Sequence, residues 1–230
     1  METFQKLIPE VPTVNPSLLA ADFGNIEREI KRLEEGGAKV LHLDIMDGHF
    51  VPNISIGVPI VESIRKITQL PLDVHLMLDN PERFIGPFRK AGADFLTIHI
   101  EVHPDPRSIL DEIRRLGAVP GLAINPPTPP EKLLPYLDYC SIVLSMSVMP
   151  GFGGQKFDQT VLEKVRLFRQ NSKTPMLLSI DGGVNEETIA SCAAAGANLF
   201  VAGTAVFKAD DYGTQMKKLL SLAFDRGLGP

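Results

Sequence analysis

The chain has 230 residues, 44% of them hydrophobic and 22% charged, which is typical of a globular protein with a full apolar core. Its formal net charge of −5 and the lack of a basic cluster argue against a nucleic-acid partner. Because it has two cysteines, no apolar run of membrane length and no signal-peptide pattern, we expect a cytoplasmic protein without a disulfide framework or a membrane partner.

Short apolar runs alternate with amphipathic segments along the whole chain. Three helix-like segments end at a glycine before an apolar run, at Gly37, Gly92 and Gly196, and their spacing corresponds to units of roughly 27 residues. This period predicts strands near residues 12–18, 39–45, 72–77, 95–99, 119–124, 141–146, 176–180 and 199–201. Helical segments are predicted over residues 25–35, 59–67, 81–91, 107–116, 159–168 and 186–195. Strict alternation indicates an α/β fold with a parallel sheet, and eight units favour a single-domain (β/α)8 TIM barrel over residues 1–230.

Side chains that bind metals lie near the ends of three predicted strands. In a parallel barrel, the reactive groups lie at the carboxyl ends of the strands and in the loops that follow. His42 and Asp44 are two residues apart on the second strand and therefore face the same way. His75 lies near the end of the third strand, and Asp181 ends the seventh. A single polar residue at a strand end is usually structural, but four on one rim predict a site for one divalent cation, zinc, iron, manganese or cobalt.

Other residues near the strand ends have less defined roles. Asp73 lies one layer deeper than His75, so we expect it to support a metal ligand or to be structural. His99, at the end of the fourth strand, could lie on the rim. Three methionines could either pack in the core or line the space over a reactive intermediate, and both interpretations stay open. They are Met46, Met77 and Met146.

Glycine-rich loops follow the sixth, seventh and eighth predicted strands. Glycine lets backbone N–H groups approach a phosphate closely, and helix N-termini behind such loops favour an anion. The loops after the seventh and eighth strands are the usual phosphate site of this barrel. We therefore predict a phosphorylated small-molecule ligand. The loops contain Gly151, Phe152, Gly153 and Gly154, then Gly182 and Gly183, and finally Gly203 and Thr204.

From about Asn15 to Phe207, the chain resembles the ribulose-phosphate 3-epimerases. The resemblance lies in residues 16–23, 42–53, 73–77, 146–155 and 181–183, which match the family in order and spacing. Three positions depart from the family pattern at the edge of the site: Ala20, Met149 and Thr204. The resemblance implies a metal site formed by four residues, His42, Asp44, His75 and Asp181. It also implies that Asp44 and Asp181 are the catalytic acid–base pair and that Ser17 and His75 contact the sugar. The glycine loops and Thr204 would hold the phosphate.

The reaction implied by this resemblance is the interconversion of D-ribulose 5-phosphate and D-xylulose 5-phosphate in the pentose phosphate pathway, by a homo-oligomeric enzyme. A proton beside a ketone is too weak an acid for an unaided carboxylate, so a metal would have to stabilise the enediolate as a Lewis acid. Asp44 and Asp181 come from well-separated strands, which suits proton removal on one face and return on the other.

Three alternatives stay open from the residues alone. A sister 3-epimerase of a six-carbon ketose 6-phosphate, such as allulose 6-phosphate, would use the same site. A barrel decarboxylase or Schiff-base aldolase would require a strand-end lysine, and the nearest lysine, Lys156, lies in the loop after the glycines. A non-catalytic phosphate-binding protein would not need both Asp44 and Asp181.

Overall fold

The computed structural model describes residues 2–173 and 175–226. Its strands are β1 Thr13–Pro16, β2 Leu41–Met46, β3 Leu72–Met77, β4 Phe95–His99, β5 Val119–Ile124, β6 Ile142–Met146, β7 Leu177–Asp181 and β8 Leu199–Ala202. Within the described residues, these eight parallel strands form one sheet, in which β1 pairs with β8 and the order runs on through β7 to β2. A parallel bridge between Ser17 and His42 closes the barrel. The predicted (β/α)8 fold is confirmed, and its extension over all of residues 1–230 stays a prediction.

Helices cover the outside of the barrel. The α-helices are α1 Glu2–Leu7, α2 Ile26–Glu35, α3 Val58–Ile67, α4 Ile85–Ala91, α5 Arg107–Arg115, α6 Val161–Asn171, α7 Ile189–Ala194, α8 Thr204–Phe207 and α9 Tyr212–Arg226. Short 3-10 helices cover Ile8–Glu10, Leu18–Ala20, Phe23–Asn25, Pro81–Arg83, Ile100–Val102, Pro130–Lys132 and Leu134–Tyr139. Apolar side chains at helical spacing face the sheet, as Ile109, Leu110 and Ile113 do in α5. No helix in the described parts of the chain is long and apolar enough to span a bilayer.

The segment 81–91, predicted as one helix, is divided in two. A 3-10 turn covers Pro81–Arg83, and α4 begins only at Ile85. A continuous helix from Pro81 would place Pro87 in its interior, where proline lacks an N–H and its ring clashes with the carbonyl four residues earlier. Because α4 starts at Ile85, Pro87 lies in the first turn, where backbone N–H groups have no intrahelical partner in any case.

The two ends of the barrel interior differ in polarity. At the amino ends of the strands, Phe4 of α1 packs against Phe95 and further apolar side chains of the barrel, which fill this end. Towards the carboxyl ends, polar residues enter the interior, and the register of β2 and β3 places Asp44 opposite His75. The chemistry of this barrel is therefore confined to the carboxyl ends of its strands.

Candidate metal and active site

The four predicted metal ligands meet at the carboxyl ends of three strands. His42 and Asp44 come from β2, His75 comes from β3, and Asp181 is the last residue of β7. One nitrogen or carboxylate oxygen from each residue lies within 4.8 Å of the corresponding atoms of the other three. Two imidazoles and two carboxylates form a donor set that suits a divalent transition metal.

The hydrogen-bond partners of the His42 ring indicate whether the four predicted ligands suit a metal ion. Its Nδ1 lies 2.8 Å from Oδ2 of Asp73, and because a carboxylate only accepts hydrogen bonds, Nδ1 carries a proton. The other nitrogen, Nε2, lies 3.3 Å from Oδ1 of Asp44 but has no hydrogen-bond partner among the described residues. A fully buried ring nitrogen without such a partner is costly, and coordination of a metal would satisfy it. The site therefore fits a cation, and Asp73 contacts His42, one of the candidate ligands.

The two aspartates differ in how readily they hold a proton. Burial acts to raise the pKa of Asp44, but the neighbouring imidazoles of His42 and His75 outweigh it and hold this pKa well below its usual range. Burial raises the pKa of Asp181 to about 7, and the negative charge of Asp44 adds to the effect. Near neutral pH, the chain alone thus pairs an ionised carboxylate with a carboxyl group that holds a proton, as an acid–base pair requires.

A cavity of about 300 Å³ lies at the carboxyl ends of the strands, beside the two aspartates. Most of the predicted site residues line it, whereas His42 and His75 are fully buried and are not part of its wall. The predicted contact of His75 with the sugar therefore stays a prediction. The predicted residues that line the cavity are Ser17, Asp44, Met46, Met77, Met146, Gly151, Phe152, Gly153, Gly154, Asp181, Gly182, Gly183, Gly203 and Thr204.

The glycine loops form one side of this cavity. Gly182 has a φ of +112°, and a Cβ added there would lie 2.6 Å from Cγ2 of Val148 in the loop after β6. Only glycine fits this position, because both the backbone conformation and the neighbouring side chain exclude a Cβ. Ser147 ties the two loops together, since its hydroxyl donates a hydrogen bond of 2.8 Å to the carbonyl of Asp181. The loops after β6 and β7 are thus packed against each other next to Asp181.

The three methionines border the same cavity and are almost fully buried, with exposed fractions of 4% for Met46, 1% for Met77 and 2% for Met146. Met46 and Met77 also pack together with Val51 of the loop after β2. Packing and lining are therefore compatible roles for these side chains. Whether they contact an intermediate stays a prediction.

Two residues behind the site, the buried His99 and the partly buried Glu101, were not assigned a function from the sequence. His99 is the last residue of β4 and is fully buried, with its Nε2 lying 2.8 Å from Nε2 of His75, and it does not line the cavity. Glu101 contacts His99 from the 3-10 turn that follows β4. The spacing of these two residues matches that of His42 and Asp44, which is a signal the sequence offers. The spacing alone, however, does not indicate that the side chain of Glu101 turns back towards the ring of His99.

Solved structures with the same fold include proteins with other names. The structure of KGPDC from Streptococcus mutans aligns with a TM-score of 0.71 at 13% identity, covering 94% of this chain and 99% of that one. The structure of 3-hexulose-6-phosphate synthase from Salmonella typhimurium aligns with a TM-score of 0.69 at 12% identity, covering 93% and 99%. At this level of identity, the likeness establishes the barrel fold alone.

Sequence relatives are far closer. The family model described as the ribulose-phosphate 3 epimerase family matches residues 13–207. Ribulose-phosphate 3-epimerase of Bacillus subtilis (strain 168) is 48% identical over 202 residues, which cover 86% of this chain and 93% of that protein. The cytoplasmic isoform of ribulose-phosphate 3-epimerase from Oryza sativa subsp. japonica is 44% identical over 211 residues, covering 90% and 92%. The chain therefore belongs to the ribulose-phosphate 3-epimerase family.

Proposed function

We propose that this chain is a metal-dependent ribulose-phosphate 3-epimerase that interconverts D-ribulose 5-phosphate and D-xylulose 5-phosphate. The observation that carries the proposal is the pair Asp44 and Asp181, which border one cavity beside two histidines and differ in their affinity for protons. Inversion at C3 needs one group that takes a proton and another that returns one to the opposite face. The family membership of the chain supports the same reaction.

His42, Asp44, His75 and Asp181 would hold one divalent cation, with zinc, iron, manganese and cobalt as the candidates. When bound, the cation supplies Lewis-acid stabilisation of the negative charge that develops on the substrate oxygens. Family membership supports a divalent metal as the cofactor of this chain.

The proton transfers are assigned to the two carboxyl groups. In one direction, Asp44 accepts the C3 proton and Asp181 delivers one to the other face; in the reverse direction, the two exchange roles. Ser17 holds the acceptor in place, since its hydroxyl donates a hydrogen bond of 2.6 Å to Oδ2 of Asp44. The methionines keep this part of the cavity apolar, which strengthens electrostatic interactions with the reacting atoms.

The phosphate is assigned to the loops after β6, β7 and β8. No lysine or arginine occurs among the described residues that line the cavity, so backbone N–H groups of these loops would have to bind the anion. Gly151, Gly154, Gly182 and Gly183 all have positive φ values, which turn successive N–H groups in directions that other residues rarely allow. The same lack of a lining lysine disfavours a Schiff-base aldolase.

The location and assembly of the chain are further parts of this proposal. A cytoplasmic location is supported by the name of the rice relative, which states it for that protein, and the homo-oligomer is our own expectation. Analytical ultracentrifugation of the purified chain tests the assembly. A single species at the mass of one chain would contradict it.

The decisive experiment compares turnover of ribulose 5-phosphate with turnover of allulose 6-phosphate by the metal-loaded protein. We expect the five-carbon substrate to have the higher kcat/KM, in agreement with the names of the bacterial and rice relatives. A higher kcat/KM for the six-carbon substrate would identify the sister epimerase instead. Turnover of neither substrate would contradict the proposed function.

A further inference from the structure

A series of hydrogen bonds, buried as far as His99 and partly buried at Glu101, leads away from the metal site on the side of His75. Nδ1 of His75 faces the site and lies 3.1 Å from Oδ1 of Asp44. Nε2 of the same ring lies 2.8 Å from Nε2 of His99, and Nδ1 of His99 lies 3.1 Å from Oε2 of Glu101. Both histidines are fully buried. The proposed reaction uses neither His99 nor Glu101.

Glu101, at the far end of this series of hydrogen bonds, determines which ring nitrogens carry protons. The carboxylate of Glu101 can only accept a hydrogen bond, so Nδ1 of His99 carries a proton. In the neutral ring, Nε2 of His99 is then an acceptor, and the hydrogen bond between the two Nε2 atoms requires His75 to be the donor. With its proton on Nε2, neutral His75 has its lone pair on Nδ1, which is the nitrogen that faces the metal site.

Glu101 is held firmly in the position this arrangement requires. The backbone N–H of Asn125 donates a hydrogen bond of 2.8 Å to its Oε1. The loop that presents this N–H is in turn tied to α6, because Nζ of Lys164 donates hydrogen bonds of 2.9 Å to the carbonyl of Asn125 and 2.6 Å to that of Thr128. On the other side, the ring of Phe50 covers His99 at a centroid distance of 4.6 Å.

We propose that His99 and Glu101 are positioning residues that keep the proton of His75 on Nε2 and leave Nδ1 free to bind the metal. The inference rests on the metal site of the proposed function. It assigns His75 a support equivalent to the one that Asp73 provides for His42, but extended by one imidazole. Neither residue touches the substrate cavity, so both act only through His75.

The support is needed because Asp44 competes for the same proton. Without an acceptor at Nε2, His75 can hold its proton on Nδ1 and donate it to Oδ1 of Asp44, which lies 3.1 Å away. That tautomer has no lone pair directed at the metal. Loss of His99 or of the charge of Glu101 therefore favours the form of His75 that does not coordinate.

The test measures the tautomer and the metal affinity of the protein without reference to turnover. Two-bond ¹⁵N–¹H correlation spectra of histidine-labelled, metal-free protein report which nitrogen carries the proton, and five histidines give a tractable spectrum. The His75 signals are assigned from a His75→Ala variant. Zinc affinity is measured by competition with a chromophoric chelator. The variants are His99→Phe, which removes the acceptor, Glu101→Gln, which removes the charge, and His99→Gln, whose side-chain oxygen retains an acceptor.

We expect wild-type His75 to be the Nε2–H tautomer and His99→Phe to contain the Nδ1–H tautomer, with zinc binding weakened about 10–100-fold. Glu101→Gln should shift both readouts in the same direction, and His99→Gln should restore part of the affinity. Glu112→Gln is the matched control, since this glutamate is 41% exposed on α5 and pairs with Arg115. It should change neither readout.

Three results overturn the proposal: an Nδ1–H tautomer in the wild type, an unchanged tautomer and affinity in His99→Phe, or equal losses in His99→Phe and His99→Gln. Thermal unfolding of each variant identifies a loss of zinc affinity that is caused by misfolding. For such a variant, the tautomer of His75 in the spectrum tests the proposal. A protein that binds none of zinc, iron, manganese and cobalt contradicts the proposed function, whereas the tautomer of His75 still tests this inference.

Discussion

Oγ of Ser17 donates a hydrogen bond of 2.6 Å to Oδ2 of Asp44, at the place where β1 and β2 close the barrel. The contact orients, from the end of the neighbouring strand, the carboxylate to which we assign a proton transfer. In Ser17→Ala, we expect kcat to fall about tenfold, because one hydrogen bond to a charged group contributes on the order of 1.5 kcal/mol. Steady-state kinetics measures the effect. Ser63→Ala removes a hydroxyl that bonds only within α3, and it should leave kcat unchanged.

Substitution of Asp44 should separate proton transfer from binding. We expect deuterium to enter C3 of ribulose 5-phosphate from D₂O during turnover of the wild type. In Asp44→Asn, its rate of entry should fall by at least about 100-fold, because general acid–base catalysis contributes at least this much. Mass spectrometry of the sugar phosphate measures the incorporation. The metal content of the variant is determined alongside, and Asp138→Asn on the surface is the control. Equal incorporation by Asp44→Asn would remove Asp44 from the reaction.

Removal of the metal should abolish turnover. The two histidines and two aspartates bring one ligand atom each within 4.8 Å of the others, a donor set that suits a divalent transition metal. After chelation and dialysis, we expect activity to be lost and to return on addition of zinc, iron, manganese or cobalt. Elemental analysis establishes that the dialysed protein is metal-free. Full activity of that preparation would contradict the assignment.

Metal binding should depend on pH through Asp181. Burial raises the pKa of this carboxyl to about 7 in the chain alone, so below that pH the cation must displace its proton, and above it the ligand is already ionised. Metal affinity should therefore fall as the pH is lowered through about 7. Calorimetric titrations in buffers of different ionisation enthalpy should show about one more proton released per metal at about pH 6 than at about pH 8.5. An equal release at both pH values would contradict a ligating Asp181 whose pKa is raised to about 7.

Gly182 and Gly153 provide a matched pair for the loop geometry. Gly182→Ala forces a Cβ to within 2.6 Å of Val148 at a φ of +112°, whereas a Cβ at Gly153 meets nothing within 4 Å. We expect Gly182→Ala to lower the free energy of unfolding by about 1–3 kcal/mol, because the residue would be held in a strained conformation. Gly153→Ala should change it by less than about 0.5 kcal/mol. Chemical denaturation measures both, and equal effects would show that the loop accommodates a side chain at 182.

The barrel and the meeting of the four candidate ligand residues were predictable from the sequence because both depend on local rules. The period of strand and helix reports the repeating unit, and alternation along a strand places His42 and Asp44 on one face. Parallel strands then bring His75 and Asp181 to the same end of the sheet. The division of the segment 81–91 was missed because it depends on where the helix places one proline.

The tertiary structure alone decided how protons are distributed among these residues. Asp44 and Asp181 are the same residue type, and their pKa values diverge only because burial and neighbouring charges differ at the two strand ends. The turn of the backbone after β4 likewise places Glu101 against His99, a contact that no periodicity indicates. The sequence by itself thus determined the fold and which side chains meet at the site. The contacts that orient these side chains and set their protonation arise only when the strands close into a barrel.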